Sequence, residues 1–359
     1  MSPEQLTSAW FSHLFDADVA GVTARPIGDG LVGMNLRVEL DVVADPGQSC
    51  PTSVVVKLPS ADPTSRATGV ALRNYEREVK FYAELADTVD VRVPQCWFAE
   101  HDAETGDFTL VLQDMAPAVQ GDQLAGCTPD VARSAVRELA RLHGPRWADP
   151  SLDQIDWLSR RTPADAGQLR GLWDMFLPGF LDTYRPHMDH EQSALLGEFG
   201  PRLESWLDAR DGAATVTHGD FRLDNLLVLD AASSAGGAVP ADGVVVTAVD
   251  WQTPGHGPGA GDLSYFIGAG LLADDRRSLE AELVELYAVE LERYEIAIDR
   301  GQLWTDYRRG SFGGVVMAVI ASQVVGGSDR SEAMFAAMAT RHLTQAGDLD
   351  ALDLVPTAD

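Results

Sequence analysis

The sequence predicts an α+β fold of two lobes, a small β-rich N-terminal lobe over residues 1–115 and a larger, mostly helical C-terminal lobe over residues 116–359. The N-terminal stretch contains four candidate strands and one clear helix, whereas the remainder contains six candidate helices and one further strand pair. A short segment near Gln113–Pro117 separates these two patterns and is the predicted connector.

Composition supports a globular protein with a sizeable core. The 359 residues are 45% hydrophobic and 23% charged, which excludes a disordered chain, a collagen-like fibre and a coiled coil. There are 55 acidic and 27 basic residues, and so a net charge of −28. This acidity argues against nucleic acid or an anionic membrane surface as a partner, since both are held through phosphate contacts.

The cysteines and the N-terminus indicate a cytoplasmic protein. Cys50, Cys96 and Cys127 are far apart and form no C-x-x-C pair, so neither a disulfide framework nor a zinc site is expected. The N-terminal segment carries Glu4 where a signal peptide has basic residues, and nowhere do 18 apolar residues follow one another. We therefore expect a chain with no membrane partner.

The N-terminal elements follow from their apolar spacing. Leu36–Val43 alternates apolar and polar residues, and Ser53–Leu58 is a short β-branched run. Two further strands are predicted at Cys96–Glu100 and Phe108–Leu112. Between the two pairs, Leu72–Ala86 has apolar residues at helical spacing and predicts one amphipathic helix packed on the sheet.

The C-terminal elements are mostly helices. Pro129–His143 has Thr128 as its expected N-cap and proline at the first helical position. Later helices are predicted at about 168–185, 191–209, 274–298, 302–325 and 329–346. A strand pair, Asn225–Leu229 and Val244–Val249, interrupts them, and a turn-rich segment of small residues joins its two strands.

The segment THGDFRLDN, residues 217–225, carries the strongest chemical signal. His218, Asp220 and Asn225 have the H-x-D-x-x-x-x-N spacing of a kinase catalytic loop. Such a loop needs one carboxylate near an acceptor hydroxyl, together with an amide oxygen and a second carboxylate that hold Mg²⁺; Asp250 is placed to be the second carboxylate. The alternative is two turn residues and a core histidine. The ordered set, on a loop that leads into a strand pair, favours the catalytic interpretation.

The segments HGDFRLDN and VDWQTPGHGPGAGDLSYFI together resemble the aminoglycoside phosphotransferase/choline kinase superfamily of protein-kinase-like small-molecule kinases. NYEREVKFYAEL and DWQ look closest to its ecdysteroid kinase-like and uncharacterised phosphotransferase groups. The resemblance extends from about Ile27 to Gln323. It implies a two-lobed protein-kinase-like fold that binds ATP and Mg²⁺ and transfers the γ-phosphoryl group to a hydroxyl of a small molecule.

The resemblance also assigns roles. It implies that Asp220 is the catalytic base, that Asn225 and Asp250 bind Mg²⁺, and that His218 braces the loop. It further implies that Asp262, in GDLSYF, accepts hydrogen bonds from the backbone of the catalytic loop.

Lys57, at the end of SVVVKL, matches the family's strand lysine that contacts the nucleotide phosphates. A buried ammonium needs a carboxylate or a phosphate; the alternative is an edge-strand lysine that reaches water. Glu76 and Glu78 compete for its partner on the helix Leu72–Ala86. Glu78 falls nearer the centre of the apolar face and fits the family's E-x-x-F-Y spacing, so we choose Glu78.

Two further segments resemble parts of a nucleotide site. Gly28, Gly30 and Gly33 satisfy G-x-G-x-x-G before a predicted strand, which fits a loop over ATP phosphates, although ordinary hairpin turn chemistry would also explain them. LVLQDM resembles the family's hinge, where main-chain atoms of Gln113 and Met115 would contact adenine.

No competing catalytic motif is present, since the chain lacks G-x-S-x-G, H-E-x-x-H and Walker A sequences. The alternatives to a small-molecule kinase are therefore a nucleotide-binding pseudokinase with a regulatory role and a kinase that acts on proteins. The full set of expected catalytic residue types counts against the first. The short segment between Asp250 and Asp262 counts against the second.

Overall fold

The computed structural model describes residues 1–28, 33–47, 49–160, 163–209, 212–230, 243–324 and 328–357. The chain divides into two compact units. The first comprises Met1–Asp87, Val93–Ala116 and Asp250–Gln252. The second comprises Thr88–Arg92, Pro117–Val249 and Thr253–Asp359.

The first unit contains a five-stranded antiparallel sheet. Its strands are β1 (Asp18–Pro26), β2 (Gly33–Ala44), β3 (Ser53–Pro59), β4 (Cys96–His101) and β5 (Phe108–Gln113). They are arranged in the order β1-β2-β3-β5-β4, with Asn35 opposite Lys57 and Lys57 opposite Leu110. The glycine-rich segment therefore connects two neighbouring strands, because β1 pairs with β2.

Burial explains why these segments are strands. In β2, Leu36, Val38 and Leu40 are buried and alternate with more exposed polar residues, as expected for a sheet with one face on the core. In β3, Val54 to Pro59 are buried with the exception of Val55, so the strand reads as a continuous apolar run around Lys57.

Three helices accompany this sheet, namely α1 (Ser8–Phe15), α2 (Pro63–Ala71) and α3 (Asn74–Lys80). The prediction of one helix over Leu72–Ala86 is wrong at both ends. Arg73 adopts a left-handed conformation with φ 57°, which separates α2 from α3. After Lys80 the chain continues as a π-helical turn over Phe81–Leu85 and then a 3₁₀ turn over Ala86–Thr88.

The second unit contains the remaining helices of the described chain. They are α4 (Pro129–His143), α5 (Pro163–Tyr184), α6 (His190–Phe199), α7 (Leu203–Asp208), α8 (Ala260–Gly270), α9 (Ala273–Glu292), α10 (Arg300–Gly310), α11 (Phe312–Val324) and α12 (Asp329–Asp348). Further 3₁₀ turns of the chain lie at Pro3–Gln5, Gly144–Arg146, Pro150–Gln154, Arg185–His187, Gly200–Arg202, Leu223–Asn225 and Ala351–Leu354.

The predicted bounds of α4 are confirmed, and Thr128 accepts a hydrogen bond from the backbone N–H of Val131, as an N-cap does. Two longer predicted helices are wrong because each is broken. The helix predicted at 191–209 is interrupted by the 3₁₀ turn Gly200–Arg202, where proline removes a backbone donor. The helix predicted at 302–325 ends at Gly310 and restarts at Phe312.

Two small sheets complete the second unit. One joins β6 (Val119–Gln120), β9 (Leu226–Asp230) and β10 (Val244–Ala248) in the order β10-β9-β6. The other joins β7 (Ser159–Arg160), β8 (Ala214–Thr217) and β11 (Gly255–Pro258) in the order β7-β11-β8. The candidate catalytic loop, residues 218–225, connects β8 to β9 and is therefore fixed to a sheet at each end.

None of the helices in the described ranges has the length and apolar character needed to cross a membrane. The expected α+β architecture is observed, with a sheet-rich N-terminal region followed by a mostly helical C-terminal region.

Candidate active site

Lys57 lies on β3 with both of its charged partners in the first unit. Its side chain is buried, with 7% of the residue exposed. The ammonium Nζ donates to Glu78 Oε1 at 2.5 Å and to Asp250 Oδ1 at 3.0 Å. A buried ammonium is costly without such partners, so the two carboxylates account for its position on an otherwise apolar strand.

The structure pairs Lys57 with Glu78 and not with Glu76. Glu78 is fully buried on α3, at 0% exposure. Glu76 lies on the outer side of the same helix, where it accepts hydrogen bonds from Arg73 and forms an ion pair with Lys80. Its hydrogen bond from Arg73 is the main reason that the pKa of Glu76 falls to about 2.

Burial and neighbouring charge act in opposite directions on the pKa of Lys57. Burial alone lowers the pKa of Lys57, but the charges of Asp250 and Glu78 outweigh it and the net shift is upward. Lys57 is therefore an ammonium at every physiological pH. Burial raises the pKa of Glu78, and Lys57 opposes this effect.

Asp250 introduces a strained segment into the first unit. It is a non-glycine residue with φ 68°, a conformation that costs free energy and is concentrated at functional sites. The next residue, Trp251, is fully buried and stacks on Phe81 with ring centroids 3.6 Å apart and planes at 4°. This contact fixes Asp250 beside Lys57, because the ring of Phe81 belongs to the π-helical turn that follows α3.

In the second unit, His218 holds the beginning of the catalytic loop. Its Nδ1 accepts from the backbone N–H of Asp220 at 3.3 Å, so its Nε2 carries the proton that it donates to Val249 O at 3.1 Å. The following Gly219 has φ 79°, and a Cβ there would lie 2.3 Å from Thr253 O. The loop conformation therefore requires glycine at this position.

Asp262, near the start of α8, binds the backbone of the same loop. Its carboxylate accepts from the N–H groups of His218 at 2.6 Å and Gly219 at 3.1 Å, as the sequence predicts. Burial by itself raises the pKa of Asp262. The interactions with His143 and His218 outweigh this effect and hold the pKa below its usual value, so Asp262 stays ionised.

Asp220 has both carboxylate oxygens occupied by donors. Oδ1 accepts from the Tyr265 hydroxyl at 2.7 Å. Oδ2 accepts from Arg222 Nε at 3.1 Å and from Asn225 Nδ2 at 2.9 Å. The side chain is 22% exposed, so the carboxylate is oriented by the protein and still accessible to a ligand.

Sequence reasoning missed Arg222 and Tyr265. Arg222 joins Asp220 to Asp224, with its Nη1 donating to Asp224 Oδ2 at 2.5 Å. Its place between the two carboxylates of DFRLDN was a usable signal. The signal for Tyr265 was its position three residues after Asp262, which puts both side chains on one face of a helix.

The remaining predicted residues lie in the first unit. Gly28 has φ 67° after β1, Gly33 begins β2, and Gly30 lies outside the described residues. Gln113 ends β5, and its N–H already donates to Gln95 O at 2.8 Å, so a nucleotide contact there would use another atom. Met115 lies two residues beyond β5.

Comparison with solved structures shows that this fold is found in kinases of small molecules. Choline kinase from Cryptosporidium parvum Iowa II superposes with a TM-score of 0.57 at 9% identity, over 93% of this chain and 92% of that chain. The microcompartment-associated aminopropanol kinase superposes with a TM-score of 0.56 at 16% identity, over 98% of this chain and 99% of that chain. A macrolide 2'-phosphotransferase from Brachybacterium faecium superposes with a TM-score of 0.50 at 19% identity, over 94% of this chain and 98% of that chain.

These superpositions confirm the two-lobed protein-kinase-like fold of the superfamily that the sequence predicts. No curated protein sequence matches the chain significantly. The sequence model of one family within that superfamily matches residues 27–298, which is most of the chain. The protein therefore belongs to the ecdysteroid kinase-like family.

Proposed function

We propose that the protein is a small-molecule kinase that transfers the γ-phosphoryl group of ATP to a hydroxyl group. The observation that carries this proposal is the arrangement of Asp220. Its carboxylate is held by Tyr265, Arg222 and Asn225 yet remains partly exposed. A fixed and accessible carboxylate in the H-x-D-x-x-x-x-N loop suits a residue that orients a hydroxyl and accepts its proton.

The other residues divide the remaining tasks. The ring of His218 bonds to the backbone at Val249 and Asp220 and so fixes the loop segment that carries Asp220. Lys57, positioned by Glu78, supplies positive charge to the phosphates. Gly28, Gly30 and Gly33 would offer backbone N–H groups to the same phosphates, and main-chain atoms of Gln113 and Met115 would contact adenine.

Asn225 and Asp250 are the residues that would hold Mg²⁺. Asn225 donates through Nδ2 to Asp220, which leaves its Oδ1 as the atom suited to a cation. No cluster of three or more His, Cys, Asp or Glu side chains able to hold a metal occurs in the part of the chain that the structure describes. A pair of oxygen ligands fits Mg²⁺, which is usually bound by one or two protein oxygens together with phosphates and water. The ion would neutralise phosphate charge during transfer.

The acceptor that we propose is a small hydroxylated molecule. Solved structures with the same fold are named as kinases of choline and aminopropanol and as a macrolide phosphotransferase. Acidity of the whole chain adds nothing to this choice, because the 55 acidic residues are spread along the sequence.

The test is ADP release from Mg·ATP in the presence of a panel of hydroxylated compounds. For the compound that turns over, Asp220→Ala should lower kcat by about 10²- to 10⁴-fold, the range expected for a general base. ATP affinity should stay within about threefold, because Asp220 is assigned to the acceptor and not to the nucleotide. The control is Asp274→Ala, because this carboxylate is 96% exposed at the start of α9. Its removal should leave kcat unchanged.

An Asp220→Ala variant that turns over like the wild type would refute the assignment. If Mg·ATP binds but no compound causes ADP release above the level of Asp220→Ala, the pseudokinase alternative is favoured instead.

A further inference from the structure

Tyr265 contacts Asp220, but the proposed roles give it no part in the transfer step. Its residue is 6% exposed, and its hydroxyl donates to Asp220 Oδ1 at 2.7 Å. Burial, followed by the charge of Asp220, raises the pKa of Tyr265 well above its ordinary value. The side chain is therefore a neutral phenol and a hydrogen-bond donor at neutral pH.

The donors are distributed unequally between the two carboxylate oxygens. An ionised carboxylate has about four acceptor positions, two on each oxygen. Among the residues that the structure describes, Arg222 and Asn225 both donate to Oδ2, whereas Tyr265 alone donates to Oδ1. The open position is thus on Oδ1, the oxygen that Tyr265 holds.

The position of the Tyr265 hydroxyl is fixed by a rigid helix. Every residue of α8 except Gly261 is buried. The Tyr265 ring also stacks on His342, with centroids 5.4 Å apart. Three residues earlier on the same helix face, Asp262 binds the loop backbone at His218 and Gly219. One helix therefore holds both the backbone of the loop and the carboxylate of Asp220.

We propose that Tyr265 is a positioning residue for phosphoryl transfer, whose hydroxyl orients Asp220 so that Oδ1 receives the proton of the acceptor hydroxyl. This inference rests on the proposed function. The acceptor oxygen loses its proton to Oδ1 and forms a bond to the γ-phosphorus. The bond from that phosphorus to the β–γ bridging oxygen breaks, and ADP leaves with the electron pair. Tyr265 stays protonated throughout.

The chain offers a matched control for Tyr265→Phe. Tyr307 is also buried, and its hydroxyl donates to a carboxylate, Glu280 Oε2, at 3.1 Å. Tyr307→Phe therefore removes the same kind of bond, but from a carboxylate outside the catalytic loop. Comparing the two variants separates an effect on Asp220 from the general cost of losing a buried tyrosine hydroxyl.

The first measurement is ADP release from Mg·ATP with water as the acceptor, on the full-length protein. We expect Tyr265→Phe to lower kcat by about ten- to a hundredfold, because a misplaced catalytic group costs up to this much, with KM for ATP changed less than about threefold. Tyr307→Phe should leave kcat within about twofold of the wild type. Equal kcat values for the two variants would overturn the proposal.

The second measurement needs no turnover. In urea unfolding, Tyr265→Phe should raise the unfolding constant about tenfold in the wild type, since a hydrogen bond to a charged group is lost. In an Asp220→Ala background the same substitution should change it by less than about twofold, because the hydroxyl has already lost its acceptor. An equal change in both backgrounds would show that Tyr265 does not act through Asp220.

Failure of the inference and failure of the proposed function give different results. If Asp220→Ala is inactive while Tyr265→Phe is fully active, only the role of Tyr265 is refuted. If neither water nor any compound of the panel causes ADP release from Mg·ATP above the level of Asp220→Ala, the proposed function is refuted. If Asp220→Ala keeps wild-type turnover, the assignment of Asp220 as the base is refuted, and the proposed role of Tyr265 with it.

Discussion

Replacing Lys57 by methionine isolates the energetics of the buried charges. The substitution keeps most of the side-chain volume but leaves Glu78, at 0% exposure, without the cation that it binds. Asp250 loses the same partner, but its side chain is 36% exposed and can be solvated by water. The stability cost of Lys57→Met should therefore come mainly from Glu78.

The size of the effect follows from the linkage between protonation and folding. In the variant, Glu78 avoids a lone buried charge by staying protonated in the folded state, whereas the unfolded chain ionises near the ordinary pKa of 4.5. Because each pH unit above this value costs about 1.4 kcal/mol, the expected loss is about 3 kcal/mol at pH 7 and below about 1 kcal/mol at pH 5. The destabilisation thus grows as pH rises.

The assay is urea unfolding between pH 5 and pH 8, monitored by tryptophan fluorescence. The matched control is Lys80→Met on α3, the helix that also carries Glu78. Lys80 pairs with the more exposed Glu76, which keeps Arg73 as a second partner. A surface pair of this kind contributes at most about 1 kcal/mol, and its removal should show little pH dependence.

A double variant, Lys57→Met with Glu78→Gln, completes the test. It should recover much of the loss at pH 8, because no ionisable group is then buried alone. A loss in Lys57→Met that stays constant from pH 5 to pH 8, or a double variant no more stable than the single one, would refute this reasoning.

Two further perturbations test the surroundings of the catalytic loop. Gly219→Ala should destabilise the loop and lower turnover, because φ is 79° at this position and the new Cβ would lie 2.3 Å from Thr253 O. Its control is Gly257→Ala, where a Cβ would meet nothing within 4 Å. Equal kcat values for the two variants would contradict the expectation. Burial lowers the pKa of His342 to about 4, so the unfolded chain binds an extra proton between about pH 6.5 and pH 4, and the free energy of unfolding should fall by up to about 3 kcal/mol as pH decreases through this range. Urea unfolding of His342→Gln should lack this part of the pH dependence, and an unchanged slope would assign it to other groups.

The elements that the sequence predicts well are those whose signals are local. α4 begins at Pro129 after a threonine cap and has one continuous apolar face, so its bounds follow from the sequence. β1 was missed, because Asp18–Pro26 is mostly exposed and lacks the alternating pattern of a half-buried strand. The break at Arg73 was missed for a different reason, since a left-handed arginine has no residue-type signal.

The same distinction applies to the site. Helical periodicity and the family's E-x-x-F-Y spacing both favoured Glu78 over Glu76, and only Glu78 lies on the buried face of this short helix. Periodicity could not reveal that Lys57 also binds Asp250, a residue 193 positions later in the chain. The Tyr265 contact to Asp220 spans 45 positions and likewise depends on how the chain folds back on itself.

The three residues Asp250–Gln252 have a consequence for recombining this protein with its relatives. They belong to the first unit, where Trp251 stacks on Phe81, although the residues on either side of them belong to the second. A chimera made by exchanging only the first 116 residues would combine Phe81 from one parent with Trp251 from the other, and Lys57 with a foreign Asp250. Breakpoints that carry residues 250–252 along with the N-terminal segment preserve both pairs. The unit that contains Lys57 and both of its carboxylate partners is therefore discontinuous along the sequence.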